Sequence, residues 1–212
     1  MNEIMNRIGK YLSHRKRLAC GMLILIVAAS LSIPGYAGQE SKPISGPGAR
    51  LSDHVKTTNG VTIYVSKRLK TLSLKQNGVL IAEYPVSLGA SSAEGNKKVE
   101  GDMRTPSGEF YVCTRNDKSV AYLSLGLSYP AIKDAERGYA DGIITADQRD
   151  EIINANLEGR QPPWDTPLGG AIMIHGCRVP DGDTHGCVAV DNDVMDVLWS
   201  YCNLGVPVTI GP

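Results

Sequence analysis

The 212-residue sequence is poor in aromatic residues and has no excess of either charge. Phe occurs once, aromatic residues make up 6% of the chain, and 22 basic residues balance 22 acidic ones. Proteins that bind nucleic acid usually carry a basic stripe with interleaved aromatic side chains. The chain has no such stripe, so its composition gives little support to nucleic-acid binding.

No apolar run has the length that a membrane-spanning helix prefers. The N-terminal run, residues 18–33, has 16 residues, against the roughly 18 or more of a spanning helix. Five basic residues precede it, and the small residues Gly35 and Ala37 follow a break at Pro34. This order is typical of a secretory signal. We predict an exported protein with a signal peptide over residues 1–37, cleaved after Ala37; an uncleaved anchor is the alternative.

Removal of the predicted signal changes the charge balance of the chain. The remaining 175 residues carry 17 basic and 21 acidic side chains, a formal charge of −4. Residues 38–57 are rich in Gly, Ser and Pro and have no periodic apolar face, which predicts a flexible linker. Residues 58–212 are long enough to bury one core, and we predict a single folded domain there.

Alternating apolar residues begin at Val61 and have the period of a β-strand. Asn77-Gly78 favours a hairpin turn, because both residues accept a positive φ. Strands are predicted at 61–65, 72–74, 79–88, 109–114, 121–125, 171–174, 187–190 and 206–210. Short strands separated by Gly and Pro turns predict a mainly-β sandwich or barrel.

Two segments have helical patterns instead. Thr145 and Gln148 form a capping box, which predicts a helix that ends near Asn156. A second helix is predicted to begin at Asp191 or Asn192. Its apolar residues recur at helical spacing, which indicates packing against the core.

The tripeptide His-Gly-Cys occurs twice, at residues 175–177 and 185–187, in a chain with only four histidines. Beyond the predicted signal the histidines are His54, His175 and His185, and the cysteines are Cys113, Cys177, Cys187 and Cys202. A thiol beside an imidazole can be a catalytic nucleophile with its base, a pair of metal ligands, or half of a disulfide next to a histidine. The choice among these decides the function.

Disulfides are the simplest use of four cysteines in an exported protein, with three possible pairings. A zinc site would have suitable ligand types in His175, Cys177, His185 and Cys187. Known structural sites, however, usually place about two to four residues between paired ligands, and only one glycine stands here. We therefore predict no metal site. Neither interpretation explains why a glycine separates His from Cys both times.

A catalytic thiol would use all of these residue types. An imidazole can take the proton of a nearby cysteine and hold the resulting ion pair. Gly186, directly before Cys187, gives a substrate room to approach and leaves backbone N–H groups to face a developing oxyanion. Spacing alone does not decide which cysteine attacks, or which histidine serves it.

Three ordered segments resemble the YkuD-type L,D-transpeptidases. The family's motif is a strand ending in His-Gly, followed by Ser or Thr, any residue, Gly and Cys. It is matched here by Ile174-His175-Gly176 and then Thr184-His185-Gly186-Cys187-Val188-Ala189-Val190, while residues 101–111 and 163–170 are similar to the family's upstream segments. The resemblance covers about residues 61–210. It implies a β-sandwich of mixed sheets with a few short helices, in which 58–212 is the catalytic domain.

The resemblance also assigns the site residues. Cys187 becomes the acyl-accepting nucleophile and His175 its general base, with Cys177 only a neighbour. The family orients this histidine with a backbone carbonyl, so no aspartate is promoted to a triad. The oxyanion and pocket positions fall on Thr184, His185, Gly186 and Gly176. Many members have Arg two positions after the cysteine, where this chain has Ala189, and we expect Arg104 or Arg178 to hold a substrate carboxylate in its place.

The implied reaction is acyl transfer on peptidoglycan stem peptides through a thioester on Cys187, without a cofactor. An amine of a second stem would give a 3-3 cross-link. Water would make the protein an L,D-carboxypeptidase or amidase with the same residues. A wall-binding module with Cys187 in a disulfide or zinc site is the non-catalytic alternative. The resemblance implies the periplasm, membrane contact only through the N-terminal segment, and acylation of Cys187 by carbapenems.

Overall fold

The computed structural model describes residues 58–212. The predicted signal peptide and linker lie outside the described residues, as does His54. None of the helices within residues 58–212 is long and apolar enough to cross a membrane.

Eight strands form one mixed sheet, with the spatial order β3-β2-β1-β8-β4-β5-β6-β7. The strands are β1 (Val61–Ser66), β2 (Thr71–Gln76), β3 (Val79–Pro85), β4 (Gly108–Ser119), β5 (Tyr122–Leu127), β6 (Met173–His175), β7 (Val188–Ala189) and β8 (Pro207–Gly211). Each predicted strand overlaps one of these, and the mainly-β, mixed-sheet fold is confirmed.

Alternation along the strands sends one face of the sheet into the core. In β1 the side chains of Val61, Ile63 and Val65 are buried, and Leu72 and Leu74 of β2 pack with them. The predicted turn between β2 and β3 is confirmed, because Asn77 and Gly78 have φ values of 50° and 78°.

The long strand β4 connects the two halves of the sheet. Residues 108–111 pair with β8, whereas residues from 112 to 119 pair with β5. Beyond β5 lie β6 and β7, which adjoin the two His-Gly-Cys tripeptides. Because β4 pairs first with β8 and then with β5, the strands β6 and β7 that adjoin the motifs belong to the same sheet as β1.

Three helices accompany the sheet: α1 (Ile132–Ala140), α2 (Ala146–Leu157) and α3 (Asn192–Tyr201). Both predicted helices are confirmed, and α2 begins with the capping box of Thr145 and Gln148. Helix α1 was not predicted. Its cap position is Ala131, which has no side-chain acceptor, and the Asp134 carboxylate instead accepts the Ala131 N–H at 3.1 Å.

A loop from residue 97 to residue 105 is built around one buried ion pair. The Lys97 Nζ donates to Asp102 Oδ1 at 2.8 Å and to the Val99 carbonyl at 3.0 Å; the two side chains are 3% and 11% exposed. The Asp102 carboxylate also accepts the backbone N–H groups of Lys98, Val99 and Arg104. Burial alone would raise the pKa of Asp102, but these hydrogen bonds together lower it.

We expect Asp102→Ala to destabilise the domain strongly. The substitution leaves a buried ammonium without its carboxylate and three backbone N–H groups without their acceptor, a loss of roughly 3 kcal/mol or more of unfolding free energy. Asp117→Ala is the matched control, since Asp117 is exposed on the β4–β5 hairpin, and we expect a change within about 0.5 kcal/mol. Urea unfolding of both variants measures this. Equal stabilities would show that the ion pair does not hold the loop.

Candidate active site

Two short parallel strands hold His175 and Cys187 on neighbouring segments of the chain. Strand β6 pairs with β7 so that Ile174 faces Val188 and His175 faces Ala189. Cys187 directly precedes β7, and its Sγ accepts a hydrogen bond from the N–H of Met173, the first residue of β6. The pairing therefore places Cys187 beside Met173, two residues before His175 on the adjacent strand.

The thiol of Cys187 is half-buried at the start of β6. The Met173 N–H donates to its Sγ at 3.4 Å, and the S–H donates to the Ala171 carbonyl, with 3.6 Å between sulfur and oxygen. Burial raises the pKa of this thiol; the Met173 N–H and the charge of Lys97 act in the opposite direction. At neutral pH the cysteine is therefore a protonated thiol that needs a base before it can attack.

The imidazole of His175 is oriented by the backbone. Its Nδ1 lies 2.7 Å from the carbonyl oxygen of Gly176. Because a carbonyl can only accept, Nδ1 carries the proton in the neutral ring and Nε2 is the basic nitrogen. Gly176 thus contributes its carbonyl, while its own N–H donates to Leu123 O at 3.2 Å and is not available to an oxyanion.

Thr184 fixes the turn that carries the nucleophile. Its hydroxyl donates to the Cys187 carbonyl at 2.7 Å and accepts the Gly186 N–H at 3.1 Å. The backbone N–H of Cys187 itself donates to no acceptor within residues 58–212. This N–H is adjacent to the sulfur and is available to an acceptor on a bound ligand.

The turn rests against the loop that contains Arg104 and Thr105. Gly186 has φ 133°, and a Cβ there would lie 2.9 Å from the Arg104 carbonyl oxygen, so only glycine fits. The Thr105 hydroxyl accepts the Gly89 N–H at 2.9 Å and makes a long contact of 3.5 Å to the Cys187 carbonyl. The buried Lys97–Asp102 pair stabilises this loop, and the loop in turn packs against the turn that carries Cys187.

The remaining residues of the two tripeptides point elsewhere. The side chain of His185 is exposed, and no hydrogen bond or ion pair in the described part of the chain involves it. Cys177 is also exposed, with φ 60°, and its N–H donates to Asn192 Oδ1 at 2.7 Å. Among the histidines and cysteines of the two tripeptides, His175 and Cys187 are thus the two that are half-buried.

The two arginines expected to bind a carboxylate both have partners within the domain. Arg178 forms a two-point ion pair with Asp191, at 3.1 Å and 3.0 Å. Arg104 contacts Glu94 and the Asn96 carbonyl, each at 3.4 Å. The guanidinium of Arg178 is therefore engaged by Asp191, whereas the Nε of Arg104 is buried and has no hydrogen-bond partner within residues 58–212.

All four cysteines in residues 58–212 are free, so the structure contains none of the three disulfide pairings. Burial raises the pKa of Cys113 and of Cys202 to about 12, which leaves both as inert thiols at neutral pH. No group of three or more His, Cys, Asp or Glu within the described range could hold a metal ion. Only Cys177 and Cys187 remain as candidate nucleophiles; Cys177 lies two residues beyond the end of β6 and is exposed, whereas Cys187 directly precedes β7 and is half-buried.

Sequence reasoning missed the residues that support the site from behind. The sequence gives no sign that Lys97 is buried, since a loop lysine is usually a solvated charge. Asp102 and Thr105 lie within residues 101–111, which resemble an upstream segment of the family. The positions of Met173 and Gly89 follow from tertiary packing. Of these residues, only Asp102 has a local sequence signal for its role. An aspartate that follows glycine at a turn often accepts backbone N–H groups with its carboxylate.

Comparisons with known proteins were made for the whole chain. Residues 60–210 match the family profile of YkuD, the L,D-transpeptidase catalytic domain. A search of curated proteins found no significant match.

Several solved structures resemble the chain. Bd1075 of Bdellovibrio bacteriovorus is 24% identical, with a TM-score of 0.48 over 74% of this chain and 49% of that one. The helical cell shape determining protein Pgp2 of Campylobacter jejuni is 19% identical, with a TM-score of 0.48 over 76% and 52%. An L,D-transpeptidase from Xylanimonas cellulosilytica is 17% identical, with a TM-score of 0.42 over 79% and 65%.

The match therefore spans about half to two thirds of the length of these solved structures. The family profile, in contrast, covers most of this chain, including both catalytic-motif strands and the loop behind them. The chain belongs to the YkuD family of L,D-transpeptidase catalytic domains.

Proposed function

We propose that the protein is a cysteine acyltransferase that acts on peptidoglycan stem peptides, with Cys187 as nucleophile and His175 as general base. One observation supports the proposal: β6, which ends at His175, pairs with β7, which directly follows Cys187, and the Gly176 carbonyl lies 2.7 Å from Nδ1 of the imidazole, which leaves Nε2 as the basic nitrogen. Membership of the L,D-transpeptidase catalytic domain family supports the choice of substrate class.

In the first step His175 takes the thiol proton and the Cys187 sulfur attacks a peptide carbonyl. This carbonyl joins the L-centre of the stem's diamino acid to a terminal D-residue. A C–S bond forms, and the oxygen gains the negative charge that the Cys187 N–H is placed to stabilise. The C–N bond then breaks, and the leaving amine takes the proton from His175. The product is a thioester on the protein.

In the second step an amine of a neighbouring stem loses a proton to His175 and attacks the thioester. The C–S bond breaks, and the sulfur recovers a proton from the imidazole. The product is a direct link between two diamino acids. The exported state predicted from residues 1–37 would place this reaction at the wall side of the inner membrane, where the polymer is found.

We expect Cys187→Ser to lower turnover of a disaccharide-tetrapeptide by about a thousandfold or more while the melting temperature stays nearly unchanged, because the sulfur itself forms the intermediate. Cys177→Ala is the control and should keep most of the activity, since its exposed thiol takes no part in the proposed reaction. Chromatography of the products measures both. Comparable losses in the two variants would reject the assignment of Cys187.

The rate of acylation should fall as the pH is lowered, because the raised pKa of the buried Cys187 thiol keeps it protonated and the attack then depends on a general base that is free of its own proton. In His175→Ala the remaining rate should rise with pH to beyond the ordinary thiol pKa of about 8.5. Mass-spectrometric time courses follow the acyl-protein directly. A flat wild-type profile would contradict proton transfer to His175.

A further inference from the structure

The peptide bond between Gly176 and Cys177 has a hydrogen-bond partner at each end. Its carbonyl oxygen lies 2.7 Å from Nδ1 of His175, which donates to it in the neutral ring. Its N–H donates to Oδ1 of Asn192, also at 2.7 Å. Because an N–H can only donate, the Asn192 atom that faces it is the oxygen and not the amide nitrogen. The imidazole, one peptide group and the Asn192 side chain thus form a continuous chain of hydrogen bonds.

The packing around Gly176 leaves room for this arrangement and for no side chain. A Cβ at this position would lie 2.5 Å from Asn192 Oδ1, 2.9 Å from the Tyr122 Cβ and 3.0 Å from the Ala121 carbonyl oxygen. All three distances are shorter than ordinary van der Waals contacts. A side chain at residue 176 would therefore push Asn192 away from the peptide bond, so the glycine of the first tripeptide is required by this contact.

The segment after this peptide bond is also held against the start of α3. The Arg178 N–H donates to the Val190 carbonyl at 3.1 Å, and its guanidinium binds Asp191, the residue before Asn192. Cys177 has φ 60°, a left-handed conformation that a residue other than glycine keeps only where its surroundings impose it. Residues 190–192 therefore fix the backbone directly after the catalytic-motif histidine.

A hydrogen bond at one end of a peptide group strengthens the hydrogen bond at the other end. When the N–H donates to an acceptor, the group becomes more polarised and its carbonyl oxygen accepts more strongly. Asn192 should therefore strengthen the bond from His175 Nδ1 and favour the tautomer in which Nε2 is free of a proton. Without a partner at Nδ1, the neutral ring can carry its proton on either nitrogen. Only one of the two tautomers can accept a thiol proton at Nε2.

We infer that Asn192 is a positioning residue for the base: it fixes the Gly176–Cys177 peptide bond, and that peptide bond fixes the tautomer and the orientation of the His175 ring. The inference rests on the proposed function only where it treats His175 as the base. In a Ser-His-Asp triad a carboxylate accepts the proton-bearing nitrogen of the histidine. Here an uncharged peptide group does so, and Asn192 orients and polarises that group from its other end.

Long-range 1H–15N correlation spectra measure the tautomer of the neutral His175 ring without substrate, with the signals assigned by comparison with His175→Ala. We expect the wild-type protein to carry the proton on Nδ1. In Asn192→Ala the Cys177 N–H loses its acceptor, and we expect a mixture of both tautomers. In Asn192→Asp a carboxylate oxygen can accept the same N–H, so the wild-type spectrum should return. Asn192 is exposed in the first turn of α3, where an aspartate is favourable, so both variants should fold.

Asn203→Ala is the matched control. Asn203 is exposed beyond the other end of α3, and its Oδ1 accepts a hydrogen bond from Arg115 Nη1 at 2.6 Å. The substitution therefore removes a hydrogen bond of similar length and leaves residues 175–177 unaltered. We expect the wild-type tautomer in this variant. An unchanged tautomer in Asn192→Ala, or the same change in Asn192→Asp or in the control, would overturn the inference.

The rate of acylation separates this inference from the proposed function. Outer hydrogen-bond partners of metal-binding histidines contribute about 10- to 100-fold, and we expect Asn192→Ala to lower the rate constant of acylation by about tenfold. The KM for the donor should stay unchanged, because the substitution acts on the base, and Asn192→Asp should restore the rate. A wild-type protein that forms no acyl-protein would reject the proposed function, whereas the NMR spectra would still decide the role of Asn192. An Asn192→Ala variant that is acylated at the wild-type rate would reject the inference alone.

Discussion

The parallel pairing of β6 with β7 is the constraint on which the site depends. Its register comprises two residue pairs, Ile174 opposite Val188 and His175 opposite Ala189. A slip of one residue would turn the side chains of one strand to the opposite face and move Cys187 away from Met173, whose N–H donates to its sulfur. The proposed pair of His175 and Cys187 depends on this register.

So short a pairing needs support from its surroundings. On one side β5 pairs with β6, and on the other the Ser87 amide donates to the Ala189 carbonyl at 2.9 Å. Behind the nucleophile the Arg104 carbonyl leaves no room for a side chain on Gly186. The buried Lys97–Asp102 pair holds that loop in place. The buried Lys97–Asp102 pair, which stabilises this loop, and the Cys187 thiol, whose pKa is raised by burial, thus belong to one packed unit.

Much of the fold could be predicted from the sequence, because its elements use local signals. The alternation of Val61, Ile63 and Val65 and the Thr145–Gln148 capping box are both read within a few residues. Helix α1 lacks such a signal, since Ala131 at its start has no side-chain acceptor and the compensating Asp134 lies inside the helix.

The site was harder to predict, since it depends on which strands pair. Spacing alone could not choose between Cys177 and Cys187, and the family resemblance supplied that choice. Local sequence patterns could not predict that Lys97 stabilises the site, because the burial of Lys97 depends on packing against residues far away in the sequence.

The most direct test of the central claim is the position of a covalent adduct. A carbapenem carries a strained β-lactam that acylates an activated thiolate, so it reports on the same sulfur without requiring an acceptor. Intact-mass spectrometry followed by peptide mapping should show one adduct, on Cys187, and none in Cys187→Ser. A folded protein that forms no adduct, or that carries it on Cys177, would contradict the pairing of His175 with Cys187.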